Sequence, residues 1–165
     1  MIRRLLFIGL LAIAGVASAT EGVRPFVLGS MAQIQEEHAG KPFVLFLWSL
    51  TCTYCPTELK MLGEFKQQHP DLNLVLIAAD TPDDEPEIVS HLADYGLNKA
   101  ERWVFAEDMP ERLRFEIDRR WYGEVPRTYF YDQSHQREAK TGLVGQEYVK
   151  SWLARVGMDA SSASE

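Results

Sequence analysis

Residues 42–68 read PFVLFLWSLTCTYCPTELKMLGEFKQQ, and three signals lie side by side in them. Pro42 to Trp48 is a continuous apolar run of strand length, rich in bulky side chains, the pattern of a strand buried on both faces. Thr57 to Gln68 carries Leu59, Met61, Leu62 and Phe65 at near-helical spacing and stops before His69-Pro70. Between the two stand Cys52 and Cys55, the chain's 2 cysteines, separated by Thr53 and Tyr54. The pair therefore leaves a buried strand and opens a helix.

A structural staple is a poor use of such a pair. A disulfide stabilises mainly by restricting the unfolded chain, and a bridge over two intervening residues restricts almost none of it. A reversible dithiol and disulfide pair fits better. At a helix N-terminus the unpaired N–H groups and the positive end of the dipole favour thiolate over thiol. Cys52, the outermost, reads as the nucleophile; Cys55, one turn further in, reads as the thiol that resolves a mixed disulfide.

Working outward, Ser30 and Gln33 suggest a capping box on a helix from Met31 to His38 that stops at Gly40. Leu72 to Ala79 reads as a second buried strand and Thr81 to Glu85 as a polar turn. Pro86 then opens a helix with Ile88, Val89, Leu92 and Tyr95 on one side, acids at its start, and Gly96 at its end. Trp103 to Ala106 is a short strand and Pro110 to Arg120 a short helix. Thr128 to Tyr131, the turn Asp132 to His135, and Glu138 to Val144 form a hairpin before a last helix, Gln146 to Val156. Parallel strands joined by helices and finished by a hairpin make an α/β fold, a central mixed β-sheet flanked by α-helices on both faces. Trp103, Trp121 and Trp152 read as packing residues.

The 165 residues, 46% hydrophobic and 11% aromatic, suffice for one core and one domain. Seventeen Lys and Arg against 24 Asp and Glu, for a net charge of -7, argue against a nucleic-acid partner. The first nineteen residues read as a signal peptide: Arg3 and Arg4, then the apolar stretch Leu5 to Ala17, then Ala17-Ser18-Ala19. Cleavage before Thr20 removes two arginines, leaving 15 basic against 24 acidic residues, a charge of -9. Uncleaved, the segment would be a membrane anchor, although its apolar run is shorter than the roughly 20 residues of a spanning helix. The expected domain is 20–157, followed by a small, polar, disordered tail at 158–165, and the expected location is periplasmic or otherwise extracytoplasmic.

Several further residues complete a pattern. Gly40-Lys41-Pro42 leads into the strand, Trp48 stands four residues before Cys52, and Glu58 three after Cys55. Gly123-Glu124-Val125-Pro126 precedes Thr128 and Tyr129 in the hairpin, and Gly142 and Gly145 precede the last helix. In this ordered set the chain resembles the TlpA-like family of exported thiol-disulfide oxidoreductases, which includes ResA and DsbE, within the thioredoxin fold. The resemblance implies that Pro126 is a cis-proline packed beside the cysteines and that Val125 offers backbone groups to an extended substrate segment. It makes Glu58 and Glu124 the acids nearest to assist Cys55. It also implies reduction of exported protein substrates and re-reduction by a membrane-embedded thiol electron donor.

The chain departs from that pattern at four places. Thr51 replaces the usual aromatic residue before the first cysteine, and Thr53-Tyr54 lacks the proline common in reducing members. Pro56 directly follows Cys55, where it is expected to disturb the first helical turn. Phe46 stands where thioredoxin has a buried acid. The direction of exchange therefore stays open, with a disulfide oxidase of the same fold as one alternative. Another is copper(I) or other metal binding by the two thiolates, although His38, His69, His91 and His135 show no paired spacing and His135 reads as a solvated loop residue. Arg127 reads as a substrate contact or a surface charge. No metal and no cofactor beyond the Cys52–Cys55 disulfide is expected. An isomerase of the same fold is the weaker alternative, since isomerases usually work as dimers with a separate dimerisation segment for which this chain has no room; the chain is expected to be a monomer.

Overall fold

A computed structural model describes residues 22–158. The expected signal peptide (1–19) and, from residue 159 on, the expected tail lie outside them. Twelve elements follow in order: β1 (Arg24–Phe26), α1 (Ser30–Glu37), β2 (Phe43–Trp48), α2 (Cys55–Gln68), β3 (Asn73–Ala78), a 3-10 turn (Pro82–Asp84), α3 (Glu85–Asp94), β4 (Glu101–Phe105), α4 (Pro110–Ile117), β5 (Arg127–Tyr131), β6 (Arg137–Thr141) and α5 (Gln146–Arg155). The six strands form one sheet in the order β1-β4-β3-β2-β5-β6. The first four in that order run parallel, and β5 and β6 are antiparallel to their neighbours.

Strand β2 lies inside this sheet, and all six of its residues are buried. Alternation along the strand splits them between two cores. Val44, Phe46 and Trp48 face Leu59, Leu62 and Phe65 of α2, Ile88 and Leu92 of α3, and Val149, Trp152 and Leu153 of α5. Phe43, Leu45 and Leu47 face Met31 and Ile34 of α1 and Leu113 and Ile117 of α4. Covering both faces is what allows a strand with no polar side chain. Trp103, Trp121 and Trp152 are all buried. Met158, placed with the tail by sequence, belongs with the domain: its amide donates to the Leu153 carbonyl at 2.8 Å and its side chain packs on the α5 side of the core.

Several boundaries differ from the sequence reading, each for a local reason. Strand β1 carries no recognisable signal because Pro25 interrupts it; as a three-residue edge strand beside β4 it tolerates a missing N–H. The expected capping box at Ser30 does not form. Ser30 Oγ instead accepts the Val27 N–H at 2.9 Å, and the α1 N-terminus is closed by Glu116 of α4, which accepts from the amides of Gly29 and Met31. Gly29 allows this with a φ of 95°. Pro56 does not disturb α2, which starts at Cys55: a residue in the first turn has no intrahelical acceptor for an N–H, so the donor that proline lacks is not missed. Strand β6 stops at Thr141 rather than Val144 because Gly142, at φ 80°, turns the chain away.

Candidate redox site

The cysteine loop leaves the C-terminal end of β2. Cys52 and Cys55 are joined by a disulfide, with Cα atoms 5.4 Å apart. Cys52 is partly exposed, whereas Cys55 is fully buried as the first residue of α2. The Cys55 amide donates to the Cys52 carbonyl at 3.3 Å and lies 3.2 Å from Cys52 Sγ. A backbone N–H directed at the outer sulfur is the arrangement that stabilises a thiolate there once the bond is reduced.

Asp80, just past β3, holds the other side of this loop, and sequence reasoning missed it. Its carboxylate accepts from Ser49 Oγ at 2.9 Å and from the Leu50 amide at 3.1 Å. Parallel register brings the residues together: Trp48 lies opposite Ala78, so the segments leaving β2 and β3 emerge side by side. In the sequence Asp80 only looks like the start of the polar run before Pro82. Trp48, fully buried, stacks on the His91 ring at 5.6 Å and 11°, fixing the strand end from which the cysteine loop departs.

The Val125–Pro126 peptide bond is cis. Antiparallel register pairs Arg127 with Leu47 and so carries Pro126 to the level of Trp48, the same end of the sheet as the cysteines. Pro126 is buried, its carbonyl accepts the Gly142 N–H at 2.9 Å, and Val125 packs against both cores.

Glu58, three residues beyond Cys55 on the same face of α2, is only 2% exposed. Its Oε1 accepts the Val144 N–H at 2.7 Å, while Oε2 is buried without a partner. Burial pushes this carboxyl up to about 7, against the opposing pull of the Val144 amide. Glu124 is exposed instead; its carboxylate accepts the Tyr122 N–H at 3.2 Å within its own loop. Phe46 is fully buried in the apolar core.

Two surface assignments change. Arg127 is not a free surface charge: Nη2 lies 3.2 Å from Asp118, and Nη1 donates to the Thr141 hydroxyl. His135 is not a solvated loop residue, because its ring stands edge-on to Phe43 at 5.4 Å and its Nε2 donates to the His38 carbonyl. Among the described residues no group of three or more His, Cys, Asp or Glu side chains gathers to hold a metal ion.

A six-stranded mixed sheet with helices on both faces and a Cys-x-x-Cys disulfide opening α2 defines a thioredoxin-like fold, and solved structures agree. The chain is similar to a secreted Mycobacterium tuberculosis disulfide oxidoreductase homologous to E. coli DsbE, at 22% identity over 73% of this chain and 85% of the other, with a TM-score of 0.57. It is also similar to a thio-disulfide isomerase from Thermus thermophilus, at 22% identity over 72% and 81% of the two chains and a TM-score of 0.54. A thioredoxin-family thiol:disulfide interchange protein from Chlorobium tepidum TLS shares 13% identity over 74% and 83%, with a TM-score of 0.59. No family model matches the sequence, and no curated protein matches it.

Proposed function

We propose that the chain is a thiol-disulfide oxidoreductase that reduces disulfides in exported proteins. The observation that carries the reading is the asymmetry of the pair, a solvent-reached Cys52 bonded to a buried Cys55 at the start of a helix. In the reduced chain the Cys52 thiolate attacks one sulfur of a substrate disulfide, forming a mixed disulfide and releasing the other substrate sulfur as a thiolate. Cys55 then loses its proton and attacks Cys52 Sγ, which releases the second substrate sulfur and closes the Cys52–Cys55 bond. Two electrons pass to the substrate.

Each supporting residue has a place in this scheme. Val125 and Pro126 receive an extended substrate segment; a proline there presents no N–H to compete at the sulfurs. Glu58, poised near neutrality on the face of α2 that carries Cys55, takes up the resolving thiol's proton. Glu124 is a second, exposed acid beside the substrate segment. The chain works outside the cytoplasm as a monomer after removal of residues 1–19, and a membrane-embedded thiol donor re-reduces it. The signal pattern supports that location, and one structural neighbour is itself a secreted protein. No helix among the described residues is long and apolar enough to cross a membrane.

Equilibration of the purified chain, lacking residues 1–19, in glutathione redox buffers tests the reading, with Cys55→Ser as the control that cannot close the ring. A potential near ~-270 mV or lower supports reduction of partners, and one near ~-120 mV makes the chain an oxidant. Failure to cycle reversibly overturns the redox reading altogether.

A further inference from the structure

The loop that carries Val125 and Pro126 begins at Asp118, and groups from both its ends converge on that one carboxylate. Asp118 is 5% exposed. Its Oδ1 accepts the Arg120 N–H at 3.1 Å and lies 3.4 Å from Arg137 Nη2. Its Oδ2 accepts from Arg127 Nη2 and from the Tyr129 hydroxyl, both at 3.2 Å. Residue 120 lies on the way into the loop, and residue 127 directly follows Pro126 on the way out. The backbone adds two closures: the Asp118 carbonyl accepts the Trp121 N–H at 2.9 Å, and the Glu124 carbonyl accepts the Trp121 indole N–H at 2.8 Å.

Apolar packing alone could bury such a loop, but it would not fix the rotation of the segment. A guanidinium fork held at two points does, because its donors lie in one plane at set angles. Arg127 is held in this way, with Asp118 on one nitrogen and the Thr141 hydroxyl at the end of β6 on another. Gly142, the next residue, then donates its N–H to the Pro126 carbonyl.

We propose that Asp118 is a positioning residue for polypeptide substrates: through Arg127 and the Arg120 amide it sets the Val125–Pro126 backbone against which a substrate segment is laid. The proposal rests on the redox reading above. Asp118 is not a catalytic residue. The sulfur chemistry is built on β2 and α2, so the two contributions are separable: loss of Asp118 weakens recognition of a polypeptide disulfide and leaves the sulfurs' own reactivity intact.

Two disulfides of different size read that separation, insulin as a polypeptide and glutathione disulfide as a small molecule. Asp118→Asn removes the charge with little change in shape. The expected result is a KM for insulin raised about tenfold with kcat within about twofold, while the rate with glutathione disulfide also stays within about twofold. The reduction potential stays at the wild-type value. If Asp118→Asn fails to fold, Arg127→Gln is compared with Arg127→Lys on the same two disulfides. The glutamine variant then shows the KM increase and the lysine variant, which keeps the ion pair, a smaller one. Equal losses on both disulfides, or an unchanged KM for insulin, overturn the proposal. A wild-type chain that exchanges with neither disulfide sinks the redox reading instead, and this inference with it.

Discussion

Glu58, on α2, and Asp118, just past the end of α4, are buried to nearly the same degree, at 2% and 5% exposure, beside helices that cover opposite faces of the sheet. Their environments drive them in opposite directions. Glu58 has one amide donor and an orphaned oxygen, so desolvation dominates and the carboxyl rises to about 7. Burial would raise Asp118 as well, but the Arg120 amide, Arg137, the Tyr129 hydroxyl and Arg127 together outweigh it and hold its carboxyl below the ordinary 3.8. Burial alone therefore does not decide what an interior carboxylate does; the number and charge of its partners do. One acid is left able to exchange a proton near neutral pH, and the other is locked as a fixed charge.

The most severe way to break this comparison is Asp118→Ala, which strands Arg127 and Arg137 beside a cavity. The expected loss is about 3–5 kcal/mol, read by urea denaturation at pH 7; a loss below about 1 kcal/mol would mean that the arginines find water as readily as they find Asp118.

Glu58 gives the next largest effect, with the opposite sign in pH. Its folded value of about 7 lies above its ordinary 4.5, so the folded state holds a proton that the unfolded state has released. Stability from this group is complete below pH 4.5 and declines as pH rises toward and through 7, by up to about 3 kcal/mol. Glu58→Gln should flatten that decline, and denaturation midpoints at pH 5 and pH 8 measure it. Asp118 supplies the mirror image: its stabilisation is present above 3.8 and fades as pH falls through its lowered folded value. A wild-type chain that loses stability in acid more steeply than Asp118→Asn bears this out. The smallest effect is at Glu124, where replacement by Gln should change stability by less than about 0.5 kcal/mol and leave both pH limbs in place.

The sequence revealed these features unequally. Strand β2, the cysteine pair and helix α2 were legible because each is written in consecutive residues with one period or one spacing. Glu58 was singled out only through a resemblance, since a glutamate in a first helical turn ordinarily means a solvated charge; its partner Val144 lies 86 residues away. Asp80 and Asp118 went unremarked for the same reason, as the side chain and amide on Asp80 come from the loop after β2 and the Arg127 and Arg137 partners of Asp118 from β5 and β6. Strand β1 was invisible because its pairing with β4 comes from tertiary contact, against the local preference of Pro25. What escaped was in each case a relation between distant segments.

Helix α1 shows what such distance means for a chain made in one direction. Its N-terminal amides are closed by Glu116, which follows Gly29 by 87 residues. A ribosome releases α1 well before that acid exists in the nascent chain. An eight-residue helix without its terminal anion has little stability of its own, so during synthesis the segment waits as coil. It sets only when α4 arrives, which makes α1, the first helix among the described residues, one of the last to be secured.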